Sequence, residues 1–206
     1  MKTWDQFLRD VLPDVTGCPE PVAEHAIMRA AQEFCLGSRA WRVWLDPVTT
    51  RENVTEYDIE LEPSTILARL ENATLDGRII DVLAQEDLRP DWKTNSNGLS
   101  TCVFTQDGQT LTLLPVQTAG MTLLVEAALQ PTDDAQGLPD FIHQQYAEVI
   151  AMGAKARLMR QANKPYTDFA QALSLRSDFE GLTTSAGIRR MRGMTSTRSR
   201  PRIKTF

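Results

Sequence analysis

Three cysteines and two histidines are all that 206 residues hold of the side chains that most often bind soft metals or act as nucleophiles. Cys18, Cys35 and Cys102 are odd in number and widely spaced, and no C-x-x-C occurs. That excludes a disulfide framework or a zinc site and fits a reducing cytosol. His25 stands in A-E-H-A-I-M rather than H-E-x-x-H, and neither it nor His143 has companions at ligand spacing, so both read as ordinary helix residues. No serine sits in G-x-S-x-G, and no Walker A or G-x-G-x-x-G loop is present to cradle a phosphate. Hence no catalytic residue, metal or cofactor is expected. No run approaches the roughly 18 apolar residues of a membrane span. The opening MKTWDQFLRD lacks the apolar core of a signal peptide. A cytosolic protein with no membrane partner is the expectation.

Acids are missing from one place in an otherwise acidic chain. Residues 187–206 hold seven Arg or Lys and no Asp or Glu, while the whole chain carries a net charge of −5. Residues 46–137 carry −11, residues 1–45 only −1, and residues 138–186 balance at zero. Such asymmetry predicts that the tail meets an anionic surface: nucleic acid, a membrane, or an acidic protein, including another copy of this one.

What is present reads in three textures. Thr3 and Gln6 form a capping-box pair before Trp4, Phe7, Leu8 and Val11, which predicts a short helix ended by Pro13. Ala23, Ala26, Ile27, Ala30, Phe34 and Cys35 form the stripe of a second helix, with Gly37 as its stop. In VTEYDIELEP, Tyr57, Ile59 and Leu61 alternate with acids, which predicts a half-buried strand. Asp76-Gly77 and Asp107-Gly108 each separate apolar runs as hairpin turns do, and MTLLVEAAL is a further strand. Between the hairpins, one helical turn is placed at 85–88. Helical spacing returns with Ile142, Tyr146, Ile150, Gly153, Ala154 and Leu158. A last helix is capped by Thr167, and Gly181, Thr183 and Thr184 predict a break in it. The expected fold class is α+β: a helical bundle from residues 1–45 and 138–186, an inserted small antiparallel β domain at 46–137, and an extended basic arm at 187–206.

Two patterns carry candidate sites. Glu56, Asp58, Glu60 and Glu62 occupy every second position of one strand face. Such a row can be a solvated face, can bind a hard cation, can form an acidic inter-subunit or lumen face, or can receive a basic segment from a neighbouring subunit. A carboxylate pair in this β domain would also allow a hydrolase of cell-wall polymer, given two carboxyls about 5–10 Å apart in a cleft. In the tail, Arg189, Arg190, Arg192, Arg198, Arg200, Arg202 and Lys204 interleave with Met191, Met194, Ile203 and Phe206. That mixture suits docking into a groove on a protein, with ordering on binding. The same arginines could contact phosphates, which makes a nucleic-acid-binding protein the alternative. Gly153 and Ala154 permit a close helix approach, and a glycine kept inside a helix costs about 1 kcal/mol relative to Ala.

Three stretches together resemble the head-to-tail adaptor (connector) proteins of tailed bacteriophages. They are WDQFLRDVLPDVTGCPEPVAEHAIMRAAQEFCLGSRAWR, LPDFIHQQYAEVIAMGAKARLM and NKPYTD. The likeness rests on Val11-Leu12-Pro13, on Gly17-Cys18-Pro19-Glu20-Pro21, on Phe34-Cys35, on Trp41 with Leu45-Asp46-Pro47, and on Tyr146 through Pro165. The resemblance implies a structural virion protein without enzymatic activity. It implies a ring of twelve subunits under the portal protein, assembled in the host cytoplasm and placed at the head–tail interface. The partners it implies are the portal protein, other adaptor subunits, a downstream tail or nozzle protein, and genomic DNA passing through the lumen without sequence recognition. The basic arm would embrace the portal.

Overall fold

The computed structural model describes residues 1–88, 92 and 100–193. Among them are ten strands and four α-helices. The chain starts with β1 (Lys2–Thr3) and α1 (Asp5–Val11), then α2 (Glu20–Ser38). The sheet strands follow: β2 (Arg42–Trp44), β3 (Val48–Thr49), β4 (Glu56–Asp58), β5 (Thr65–Leu75), β6 (Arg78–Val82), β7 (Cys102–Thr105), β8 (Thr110–Leu114) and β9 (Thr122–Pro131). β10 (Gly137–Leu138), α3 (Asp140–Met159) and α4 (Phe169–Arg192) complete it.

The expected helical bundle with a small antiparallel insert is not what forms. Eight strands make one sheet in the order β2–β9–β5–β6–β7–β8–β4, with β3 also on β9. The sheet is mixed, because β6 and β7 run parallel, with Asp81 opposite Cys102. Two causes account for the difference. β5 and β9 are long, and β9 pairs with β5 from Leu123 opposite Leu75 to Pro131 opposite Thr65, which gives the sheet a wide centre. The short β2 and β3, with no legible period, extend it at one edge. The helices cover this sheet as a second layer, with α2 against β9. A single buried cluster runs from Phe7, Ile27 and Phe34 through Leu129 and Val125 to Leu111 and Leu113.

The sheet has to curl. β3 and β4 stand at opposite ends of the strand order, six strand spacings or about 29 Å apart if flat. Only seven Cα steps join Thr49 to Glu56, a reach of at most about 25 Å. The connection is tied down by Tyr57, whose hydroxyl donates to Val54 O at 2.9 Å and accepts from Arg51 N at 3.2 Å. The Asp107-Gly108 turn comes back over the sheet, so that Gly108 faces Leu67 of β5. The outer side of β7 and β8 carries a smaller cluster of Leu88, Cys102, Phe104 and Leu114, with Trp92 edge-on to Phe104 at 5.0 Å.

Local chemistry explains most element ends, and corrects some expectations. Asp76-Gly77 turns β5 into β6 with both residues at positive φ, as a two-residue hairpin requires. A 3₁₀ turn occupies Gln85–Asp87, in the place expected for a helical turn. Thr3 does not cap α1. It pairs with Gly137 in β1–β10, where a Cβ on Gly137 would lie 2.0 Å from Lys2 O. Trp4 begins the helix instead and donates its indole N–H to Ala135 O at 2.7 Å. Gly37 does not stop α2. Its bare Cα faces Thr183, and Arg39 takes the left-handed closing position at φ 52°. α4 is capped by Asp168, whose carboxylate accepts from Gln171 N at 2.9 Å, while Thr167 donates to Gln161 O. Nor does α4 break at Gly181–Thr184. It continues because Thr183 and Ala186 are buried against the end of α2, and a Cβ on Gly187 would lie 3.2 Å from Ser38 O. Among the described residues no helix is long and apolar enough to cross a membrane.

Candidate functional site

The predicted site residues fall in three separate places. Gly153 and Ala154 are buried at the junction of α2, α3 and α4. A Cβ on Gly153 would stand 2.8 Å from the Phe179 ring and 3.1 Å from Ala30 Cβ, so the glycine lets three helices meet. Arg189, Arg190 and Met191 lie exposed on the last turns of α4, and Arg192 is its final residue. Met194, Arg198, Arg200, Arg202, Ile203, Lys204 and Phe206 lie outside the described residues. Glu56, Asp58, Glu60 and Glu62 are all exposed, while Tyr57 between the first two is buried. Only Glu56–Asp58 is strand, so the ladder runs off the end of β4.

The helix junction also holds a charge network that residue patterns alone do not display. Glu33 of α2 accepts from Arg157 of α3 at 2.6 Å and from Arg176 of α4. Arg176 turns its Nε to Glu180 at 2.6 Å and lies 5.6 Å over the Phe179 ring. Burial opposes the Glu33 charge, but the hydrogen bonds from Arg176 and Arg157 outweigh it and hold its carboxyl below the ordinary range. The Arg176 guanidinium is correspondingly held in its charged form by Glu33 and Glu180. The only sequence trace of this network is the four-residue spacing of Arg176 and Glu180. A second network joins α2 to the sheet: Glu71 of β5 lies 3.1 Å from Arg42 and 3.4 Å from Arg39. Arg39 also points a guanidinium nitrogen at Met191 Sδ, 3.7 Å away, which fastens the end of α4 to the end of α2.

The remaining candidates for chemistry are structural in their surroundings. His25 is exposed on α2. His143 meets Phe7 edge-on at 4.8 Å, and burial, followed by the charges of Arg9 and Lys2, lowers its pKa. Burial pushes the Cys35 thiol up to about 12, and burial with the nearby Asp81 pushes Cys102 up as well. Both thiols are therefore poor nucleophiles. A glycoside-cleaving pair needs one carboxyl held protonated. The described carboxyls with displaced values, Glu33, Asp107, Asp133 and Asp140, all move downward. No group of three or more His, Cys, Asp or Glu is arranged to hold a metal ion among the described residues.

No family model matches the sequence, and no curated protein matches it significantly.

Two exposed surfaces gather the predicted site residues. One is the amphiphilic end of α4, where Ile188, Arg189, Arg190 and Met191 face solvent ahead of the basic segment. The other is the edge of β4, where four acids make no ion pair among the described residues.

Proposed function

We propose that the protein is a structural head-to-tail adaptor of a tailed bacteriophage. In this reading it forms a ring beneath the portal protein, docks through its C-terminal arm and passes DNA through the lumen to the tail. The observation that carries the reading is the exposed end of α4. Ile188, Arg189, Arg190 and Met191 continue a well-packed helix out of the core and lead into a segment without a single acid. An arm of this kind has a rigid root and basic, apolar contact residues, which suits capture by an acidic groove on a larger partner. The motif residues behind the resemblance support the same reading. Phe34, Cys35, Trp41, Tyr146, Ile150 and Leu158 are buried in the scaffold that holds this root.

The test is to mix the purified protein with its cognate portal and image the product by cryo-electron microscopy, beside a version ending at Gly193. That end point keeps the whole of α4, which the contact of Gly187 with Ser38 makes part of the core. A ring under the portal that needs residues 194–206 is the expected outcome. No complex in either case would overturn the adaptor reading. Salt-sensitive binding of duplex DNA, lost on the same truncation, would favour the nucleic-acid alternative.

A further inference from the structure

The last strand of the sheet is open on one side. Among the described residues β4 pairs only with β8. Leu113 N donates to Thr55 O at 2.8 Å, and Ile59 N donates to Gln109 O at 2.9 Å. Antiparallel pairing alternates along a strand, so Thr55, Tyr57 and Ile59 turn their backbone groups toward β8. Glu56, Asp58 and Glu60 turn theirs the other way, where no backbone partner meets them among the described residues. Beside this edge lies a groove of about 490 Å³, lined by Pro47, Thr49, Arg51, Glu56, Tyr57 and Asp58. It is the gap that the curled sheet leaves between β3 and β4. An open edge with a groove alongside is built to accept a further strand.

The chain itself carries a segment that matches this edge in charge, spacing and phase. Arg198, Arg200, Arg202 and Lys204 are spaced two apart, as are Glu56, Asp58, Glu60 and Glu62. We propose that residues 198–204 of a second copy of this chain add to β4 as an antiparallel strand, with Lys204 opposite Glu56, Arg202 opposite Asp58 and Arg200 opposite Glu60. The same register sets Ile203 beside the buried Tyr57 and Pro201 beside Ile59, so the apolar residues share the inner face. It also accounts for Pro201. Residues directly opposite Glu56, Asp58 and Glu60 must donate an N–H to β4, and these are Lys204, Arg202 and Arg200. Pro201 falls between them, where its missing N–H faces away from the sheet, a position at which an edge strand tolerates proline.

A second copy is the donor to which the proposal commits, and closure within one chain is the outcome that would overturn it. The inference does not rest on the adaptor reading. It gives the distal part of the arm to an adjacent copy and leaves the root at Ile188–Met191 for the portal.

Sedimentation velocity on the full chain tests this. Association that grows with concentration and weakens with salt is expected. A synthetic peptide of residues 194–206 should dissolve it. The same peptide N-methylated at Arg202 should compete at least tenfold less well, while N-methylation at Ile203, whose N–H points outward, should change little. Asp58→Lys should leave the chain monomeric, and adding Arg202→Glu to it should restore association. Equal competition by the two methylated peptides would reduce the contact to charge attraction and overturn strand addition. A chain that stays monomeric at low salt up to its solubility limit would overturn the proposal outright. A disulfide that closes within one chain when Asp58→Cys and Arg202→Cys are combined, with none between single variants mixed together, would overturn the assignment to a second copy.

Discussion

Glu33 and Asp58 are both carboxylates on regular elements, yet one is half-buried between two arginines and the other is bare. Glu33 sits where three helices cross and takes two guanidinium groups from different helices. Asp58 stands at the end of a sheet with no ion pair among the described residues. The first region uses its charges to fix helix positions, and beside it Gly153 packs directly against the Phe179 ring. The second leaves both charges and backbone groups without partners among the described residues. Residues whose partners lie within the fold shape the protein, whereas residues that lack them are what it offers to others.

Substitutions separate the two regions sharply. Phe179→Ala should have the largest effect, because the ring is 1% exposed and fills the junction. A loss of about 3–5 kcal/mol in urea unfolding is expected. Gly153→Ala comes next, since its Cβ would stand 2.8 Å from that ring. Overpacking of this kind costs about 1–3 kcal/mol, and Phe179→Leu in the same chain should recover part of it by making room. A Gly153→Ala variant as stable as the parent would mean that the junction is looser than its distances indicate.

Glu33→Gln should cost about 1–2 kcal/mol at neutral pH, because it removes a charged acceptor from two arginines. The pH dependence gives this effect its sign. The Glu33 pKa is lowered in the folded state. Its contribution is therefore fully present above the unfolded value of about 4.3 and is lost as the pH falls through the lower folded value. Parent and variant should differ at pH 7 and converge below about pH 4. A constant difference through that range would remove the ion pairs as the cause.

The smallest effect on stability belongs to the open edge. At concentrations too low for association, Asp58→Lys should change unfolding free energy by no more than about 0.5 kcal/mol, as an exposed residue without partners among the described residues does. A large destabilisation there would show that the edge is part of the scaffold after all.

Much of the local structure was legible because single residues carry it. Asp76-Gly77 specified its hairpin through two positive φ values, and alternation in Glu56–Asp58 placed Tyr57 inside and the acids outside. The expected fold failed where the determining contacts are remote. Nothing near Arg42–Trp44 or Val48–Thr49 reveals a strand, because those residues are extended by β9, more than seventy residues away. The parallel pairing of Asp81 with Cys102 arises across a connection in which a single helical turn, at 85–88, was expected, too short for a crossover helix, so a purely antiparallel sheet was the natural expectation. Gly37 and Gly181 read as helix breakers because a sequence shows their cost and not their reason. Gly37 lies under Thr183, and α4 is carried past Gly181 by packing further along. Of the candidate sites, the acidic row and the basic tail were visible as charge. That β4 has a free backbone edge follows only from the strand order.

Amide hydrogen exchange at β4 tests the open-edge account most directly. The full chain would be compared, at concentrations where it associates, with a chain ending at Thr197. The amides of Glu56 and Asp58 should exchange markedly more slowly in the full chain, while those of Tyr57 and Ile59, already turned toward β8, should not change. Equal exchange of Glu56 and Asp58 in the two proteins would contradict the claim that this edge is where the basic tail goes.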